Sequence, residues 1–182
     1  KLIKKILLGT VSVFIFLAGC ASTSKPVKEK DVPDWYLNPP RMEGKFIGVG
    51  DAQRPQISLS RTVATTRAKA EVARAVDTKI STMVKDYMQA SGLGSDASAV
   101  EFTEQVTKSV SSVALKGCQV EKTEISNGTV YVMVVYDAEK AKAEAKKAVE
   151  AAAKKDEALY NEFKAAQGFD ALNEEIDNMG TF

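Results

Sequence analysis

Residues 120–136 read VEKTEISNGTVYVMVVY, two β-prone runs on either side of Asn127-Gly128. Asn-Gly readily adopts the positive φ angles of a type I′ turn, so the stretch predicts a hairpin with arms over 120–125 and 129–136. The second arm is apolar on both alternations, Val130, Val132, Val134 and Tyr136 on one and Tyr131, Met133 and Val135 on the other. Such a strand needs cover on two faces. One face should take a long helix; the other requires either a C-terminal helix or another copy of the protein.

The long helix is legible upstream. From Leu59 to Ala90 there is no proline or glycine, and Ala64, Ala68, Val72, Val76, Ile80, Met83 or Val84, and Tyr87 recur every three or four residues. That spacing lays an apolar stripe on one side of a helix. Ser58 is the expected N-cap and Gly92 the expected stop. Alanines at 64, 68, 70, 73 and 75 allow close approach, with the sheet as the expected neighbour. Arg61, Arg67, Lys69, Glu71, Arg74 and Asp77 mostly fall off the stripe and read as a solvated face. After the Gly92 to Ser95 loop, Val100, Val106, Val110 and Val113 predict a second helix over 99–115.

Before the long helix, residues 45–52 read KFIGVGDA, a short strand carrying Gly48 and Gly50. A dinucleotide fingerprint would need a third glycine and a helix directly behind the turn, but Gln53 and Pro55 follow. Close backbone packing or a bulge explains the glycines better. Trp35 and Tyr36, ahead of Pro39-Pro40, are expected to pin this strand to the core, a ligand-stacking role being the less favoured alternative. From Ala138 to Ala158 the chain is largely alanine, lysine and glutamate, a strong helix former with little apolar stripe beyond Val149 and Leu159. It reads as a spacer or partner-contact arm, followed by a sparser series, Leu159, Phe163, Phe169, Leu172 and Ile176, interrupted by Gly168.

The beginning of the chain speaks to location. Lys1, Lys4 and Lys5 precede an apolar run that ends at Leu17-Ala18-Gly19-Cys20. The run is shorter than the roughly 20 residues a transmembrane helix needs, so residues 1–19 are expected to be a signal peptide. Leu17, Ala18 and Gly19 followed by a thiol resemble a lipobox, with Cys20 the residue that takes the lipid. One acyl chain binds a membrane only marginally, at about 0.8 kcal/mol per buried CH₂, and the lipoproteins this pattern resembles carry three. Ala21, rather than an aspartate, after the cysteine resembles the pattern for outer-membrane sorting. Residues 20–33, small, charged and proline-marked, read as a lipidated flexible tether.

Composition removes several classes of function. Without Lys1, Lys4 and Lys5, 22 of the 25 basic residues remain against 24 acidic ones, a net charge of −2 that offers nucleic acid no basic surface. The sequence has no histidine, which excludes histidine triads, histidine zinc ligands and a histidine general base. With Cys20 assigned to lipid, Cys118 has no intramolecular partner. It reads as a small, half-buried strand residue, with an intermolecular disulfide as the alternative. Asp51, Glu71 and Asp77 are the candidate carboxylate site, and their spacing does not demand one. No catalytic, metal or cofactor residue is expected.

Taken in order, the lipobox, Trp35-Tyr36-Leu37-Asn38-Pro39-Pro40, Ile47-Gly48-Val49-Gly50-Asp51-Ala52 and the alanine-rich Arg67 to Arg74 segment resemble the twenty-kilodalton bacterial outer-membrane lipoprotein family. The likeness spans roughly residues 17–136 and leaves the C-terminal segment unmatched. It implies an α+β domain, a long helix on a small antiparallel sheet in the order β-α-α-β-β-α. It implies no catalytic residue, and in FlgP-like members it implies rings or disks around the flagellar motor. The expected plan is a signal peptide over 1–19, a tether over 20–33, an α+β domain over 34–137 and a C-terminal helical arm over 138–182. The expected function is a non-enzymatic outer-membrane lipoprotein, self-assembled on the periplasmic face or with the flagellum alongside other motor or sheath proteins. The alternative is a surface or periplasmic lipoprotein that binds a ligand or a host through Trp35 and Tyr36.

Overall fold

The computed structural model describes residues 32–180, so the signal peptide, Cys20 and most of the tether lie outside the described residues. The fold is α+β, a small three-stranded antiparallel sheet packed with helices. A one-turn helix α1 (Asp34–Leu37) precedes β1 (Lys45–Ala52), followed by a helical pair, α2 (Ile57–Ser91) and α3 (Asp96–Gly117). The hairpin β2 (Gln119–Ser126) and β3 (Thr129–Asp137) comes next, and α4 (Ala138–Ala153), α5 (Glu157–Ala165) and α6 (Gly168–Asp177) end the order.

The hairpin turns as expected. Asn127 and Gly128 have φ of 47° and 79°, both positive as a type I′ turn requires. The strand order is β1-β3-β2, which puts the doubly apolar arm in the middle. Its first face, Val130, Val132, Val134 and Tyr136, joins the main core opposite Ala52, Gly50, Gly48 and Phe46 of β1. Helix α2 crosses this face over β1 and β3. A Cβ on Gly48 would run into the carbonyl oxygen of Ala68 and lie 2.9 Å from Val72 Cγ2. One on Gly50 would meet the carbonyl of Ala64 and the amide of Ala68. The glycines and the helix alanines are therefore two halves of one contact, backbone laid against backbone.

The second face of β3 is also buried, Tyr131, Met133 and Val135 being 4%, 2% and 6% exposed. Part of its cover comes from an element of the same chain that neither alternative included. Helix α1 lies against β3, with the Tyr36 ring edge-on to Tyr131 at 5.0 Å between centroids. Trp35 and Tyr36 thus reach across the sheet as well as holding the incoming strand.

Helix α2 begins two residues before the expected start, and Ser58 is not its cap. The N-cap is Gln56, without a side-chain bond, and the hydroxyl that steadies this end is Ser60, whose Oγ accepts from the Arg54 amide at 2.8 Å. Ser58 already lies in the first turn, where its carbonyl is taken by the Thr62 hydroxyl. The stop is as expected: Gly92 closes α2 with φ of 67° and gives its N–H to Met88. Helix α3 starts earlier than the valine spacing suggested, because Ser95 caps it by accepting from the Ser98 amide.

The C-terminal segment is not a spacer. Ala138, Ala141, Ala145, Ala148, Val149 and Ala152 are all buried, and α4 packs along α3. Alanine is apolar as well as helix-forming, so spacings of three and four among these methyl groups make a stripe, one narrow enough for close helix approach. Leu159, Phe163, Leu172, Ile176 and Met179 belong to the same buried cluster as the sheet. Phe163 packs on Phe102 at 5.2 Å and on Phe169 at 4.9 Å. Tyr87 donates its hydroxyl to the Gly168 carbonyl at 2.9 Å, and Glu162 accepts from the Gly94 amide at 2.6 Å.

Two substitutions test this packing. Phe163→Ala should cost about 3–5 kcal/mol in urea unfolding, as for a core aromatic, whereas a side chain on a detached arm would cost under about 1 kcal/mol. Gly50→Ala, where the added methyl has only helix backbone to push against, should cost about 1–3 kcal/mol by the same measurement.

Candidate functional site

The chemically varied side chains singled out in the sequence gather on the second sheet face and its two edges. Helix α1 spans that face. The Tyr36 hydroxyl donates to Asp51 Oδ1 on β1 at 2.8 Å, and Trp35 Nε1 donates to Glu124 Oε2 on β2 at 2.9 Å. Lys122 Nζ stands 5.2 Å from the centre of the Trp35 ring, a cation–π distance, and Trp35 meets Tyr36 edge-on at 6.2 Å. Two neighbouring residues of α1 thereby tie together the two outer strands, which do not touch each other in the ladder.

The outer edge of β1 is closed from the helix side. The Val49 amide donates to Glu71 Oε2 at 2.6 Å, and Arg67 Nη1 donates to the Asp51 carbonyl at 2.7 Å. Arg67 and Glu71 are four residues apart on α2, one helical turn, so they reach the edge side by side. They occupy backbone groups that a foreign strand would otherwise pair with. Both had read as members of a solvated face.

The outer edge of β2 is different. Its side chains are exposed almost throughout, and Val120 and Ile125 are 47% and 56% exposed. The register slips between Val120 and Lys122, leaving Glu121 as a bulge. Because the turn has two residues, Ser126 and Thr129 form a hydrogen-bonded pair, and alternation then points the backbone groups of Thr123 and Ile125 away from β3. Among the described residues none takes a hydrogen bond from those groups. The mixed polar and apolar pattern of residues 119–126, beside a fully apolar partner, is the sequence signal for an uncovered edge strand.

The three candidate carboxylates do not form one site. Asp51 and Glu71 flank the outer edge of β1, whereas Asp77 accepts from the Ser111 hydroxyl at 3.0 Å and links α2 to α3. Among the described residues no group of three or more acidic or sulfur-bearing side chains is placed to hold a metal ion. No described helix is long and apolar enough to cross a membrane. An open cleft of about 510 Å³, lined by Lys85, Met88, Asp96, Ala99, Val100 and Glu104 among others, lies where α2 and α3 meet.

Cys118 is not a half-buried strand residue. It caps α3 just before β2, is 8% exposed, and donates its thiol to the Ala114 carbonyl at 3.1 Å. Burial pushes its pKa up, opposed by the nearby Lys69 ammonium. A thiol held inside and protonated is poorly placed for an intermolecular disulfide.

No protein-family model matches the chain, and no curated protein is significantly similar to it.

Tyr36 is the most perturbed group on this face. Burial first, then its hydrogen bond to Asp51 and the charges of Asp51, Glu71 and Tyr131, push its pKa from 10.0 up to about 12. The folded state therefore keeps a proton that the unfolded chain releases near pH 10. Its stabilising contribution is intact below pH 10 and is lost as pH rises from 10 to about 12. Tyr36→Phe should flatten the alkaline fall in stability across that interval in pH-dependent urea titrations. It should also remove one late-ionising phenol from the ultraviolet absorbance titration.

Proposed function

We propose that this chain is a non-enzymatic, lipid-anchored structural protein of a bacterial outer membrane that associates with copies of itself. Its most concrete setting is a flagellar basal disk or sheath. The observation that carries the anchor is Leu17-Ala18-Gly19-Cys20 behind a basic, apolar leader and ahead of a tether. The flagellar setting rests on the family resemblance alone.

Two features open to a partner, the second face of β3 and the C-terminal segment, make contacts within the chain. The second face of β3 contacts helix α1 of the same chain, and the C-terminal helices lie in the core. What supports self-association is the lipid anchor together with the asymmetry of the sheet, one edge closed by Arg67 and Glu71 and the other open along β2. Anchoring raises the local concentration of copies on a surface, so even a weak lateral contact is populated. A ligand- or host-binding role for Trp35 and Tyr36 is the secondary reading, since both side chains are engaged with Glu124, Asp51 and Tyr131 of the same chain.

The test has two arms. In a bacterium with two membranes, the full chain should incorporate labelled palmitate and fractionate with the outer membrane, and Cys20→Ala should do neither. Unlabelled wild-type protein in the soluble fraction overturns the anchor. In the native cell, deletion of the gene should impair swimming and remove density around the motor in tomograms. Normal swimming with unchanged motors overturns the flagellar setting.

A further inference from the structure

We propose that β2 is the surface through which two copies of this chain associate, pairing antiparallel about a two-fold axis at Thr123 to make a continuous six-stranded sheet. The proposal rests on the reading that the chain self-associates, and it names the contact. Two strands can join only by presenting outward-facing backbone groups to each other, which on β2 are those of Thr123 and Ile125. That restricts the central registers to three. An axis at Ile125 sets Glu124 against Ser126 of the second copy and pairs no charges. An axis at Glu124 sets Glu124 against Glu124. An axis at Thr123 sets Lys122 against Glu124 twice, once on each side.

The opposite charges meet only in the third register. In it Thr123 faces its counterpart as a hydrogen-bonded pair, and Lys122 and Glu124 occupy the non-hydrogen-bonded positions, where side chains of facing strands come closest. Lys122 and Glu124 lie on the same sheet face, since both engage Trp35. Exposed charges usually keep an edge strand from pairing. Here they oppose the Glu124-centred register and favour the Thr123-centred one.

The other edge cannot compete, because Arg67 and Glu71 already occupy the β1 backbone groups at Val49 and Asp51. Helix α2 lies over β1 and β3 and leaves β2 uncovered, so two copies can meet there with their helices set back from the seam. A contact of a few residues per strand is small beside the roughly 1,200–2,000 Å² of a stable complex. It is a weak pairing that confinement to a surface makes effective.

The test uses the full chain in detergent, as a mixture of ordinary and ¹⁵N-labelled protein, with a zero-length carbodiimide that joins lysine to carboxylate only on contact. Mixed-isotope Lys122–Glu124 cross-links are expected, together with a concentration-dependent dimer in sedimentation. Lys122→Glu or Glu124→Lys alone should reduce both by roughly tenfold or more, two attractive pairs having become repulsive. The double reversal, Lys122→Glu with Glu124→Lys, should restore them. Thr123→Pro removes an outward N–H while leaving the β3 ladder intact, so it should abolish the dimer with an unchanged circular dichroism spectrum, which also covers the case in which a single reversal disturbs the fold through Trp35. An oligomer indifferent to both reversals and to Thr123→Pro overturns this interface and leaves self-association standing. A monomer at every concentration overturns both.

Discussion

The structure depends on one close approach, the backbone of α2 against the backbone of β1 at Ala64 and Ala68 over Gly48 and Gly50. With no side chain intervening, the helix sits low enough on the sheet for Arg67 and Glu71 to wrap over its edge and bond the strand directly. The same nearness brings the valines of α2 onto the inner face of β3. Glycine in a strand costs backbone entropy and forgoes packing of its own. The cost is offset because these two positions let a continuous helix bury its stripe against the sheet.

Much of this was legible from local chemistry. Asn127-Gly128 announces a turn, the valine and alanine spacing announces α2, and glycines opposite alanines announce a close contact. Each signal is written within one element. What the sequence does not show are contacts whose decisive partner is distant. The second face of β3 demanded cover, but nothing in its own residues names Tyr36 as the neighbour. Trp35 finds Glu124 across 89 positions of sequence. The C-terminal helix is hidden for a different reason: alanine is at once the best helix former and a small apolar residue, so its propensity masks its periodicity.

The candidate site was visible as residue types and hidden as relations. Arg67 and Glu71 carry no mark that separates them from other charges on a solvated face. Their role exists only because a strand edge lies within reach of one helical turn. Cys118 was read as part of a strand because valine and a β-prone run follow it, yet the helix carries on to Gly117 and draws the thiol inward. The open character of β2 was closer to the surface of the sequence, since a strand exposed on nearly every residue must lie at a margin.

Helix α1 has a mechanical consequence. A pull on the chain ahead of Val32 meets the fold first at this single turn, which grips β1 through Tyr36 and β2 through Trp35. The load is shared by both outer strands at once and passes into the central one through the Tyr131 ring. A tether fixed ahead of Val32 would thereby be held by the breadth of the sheet.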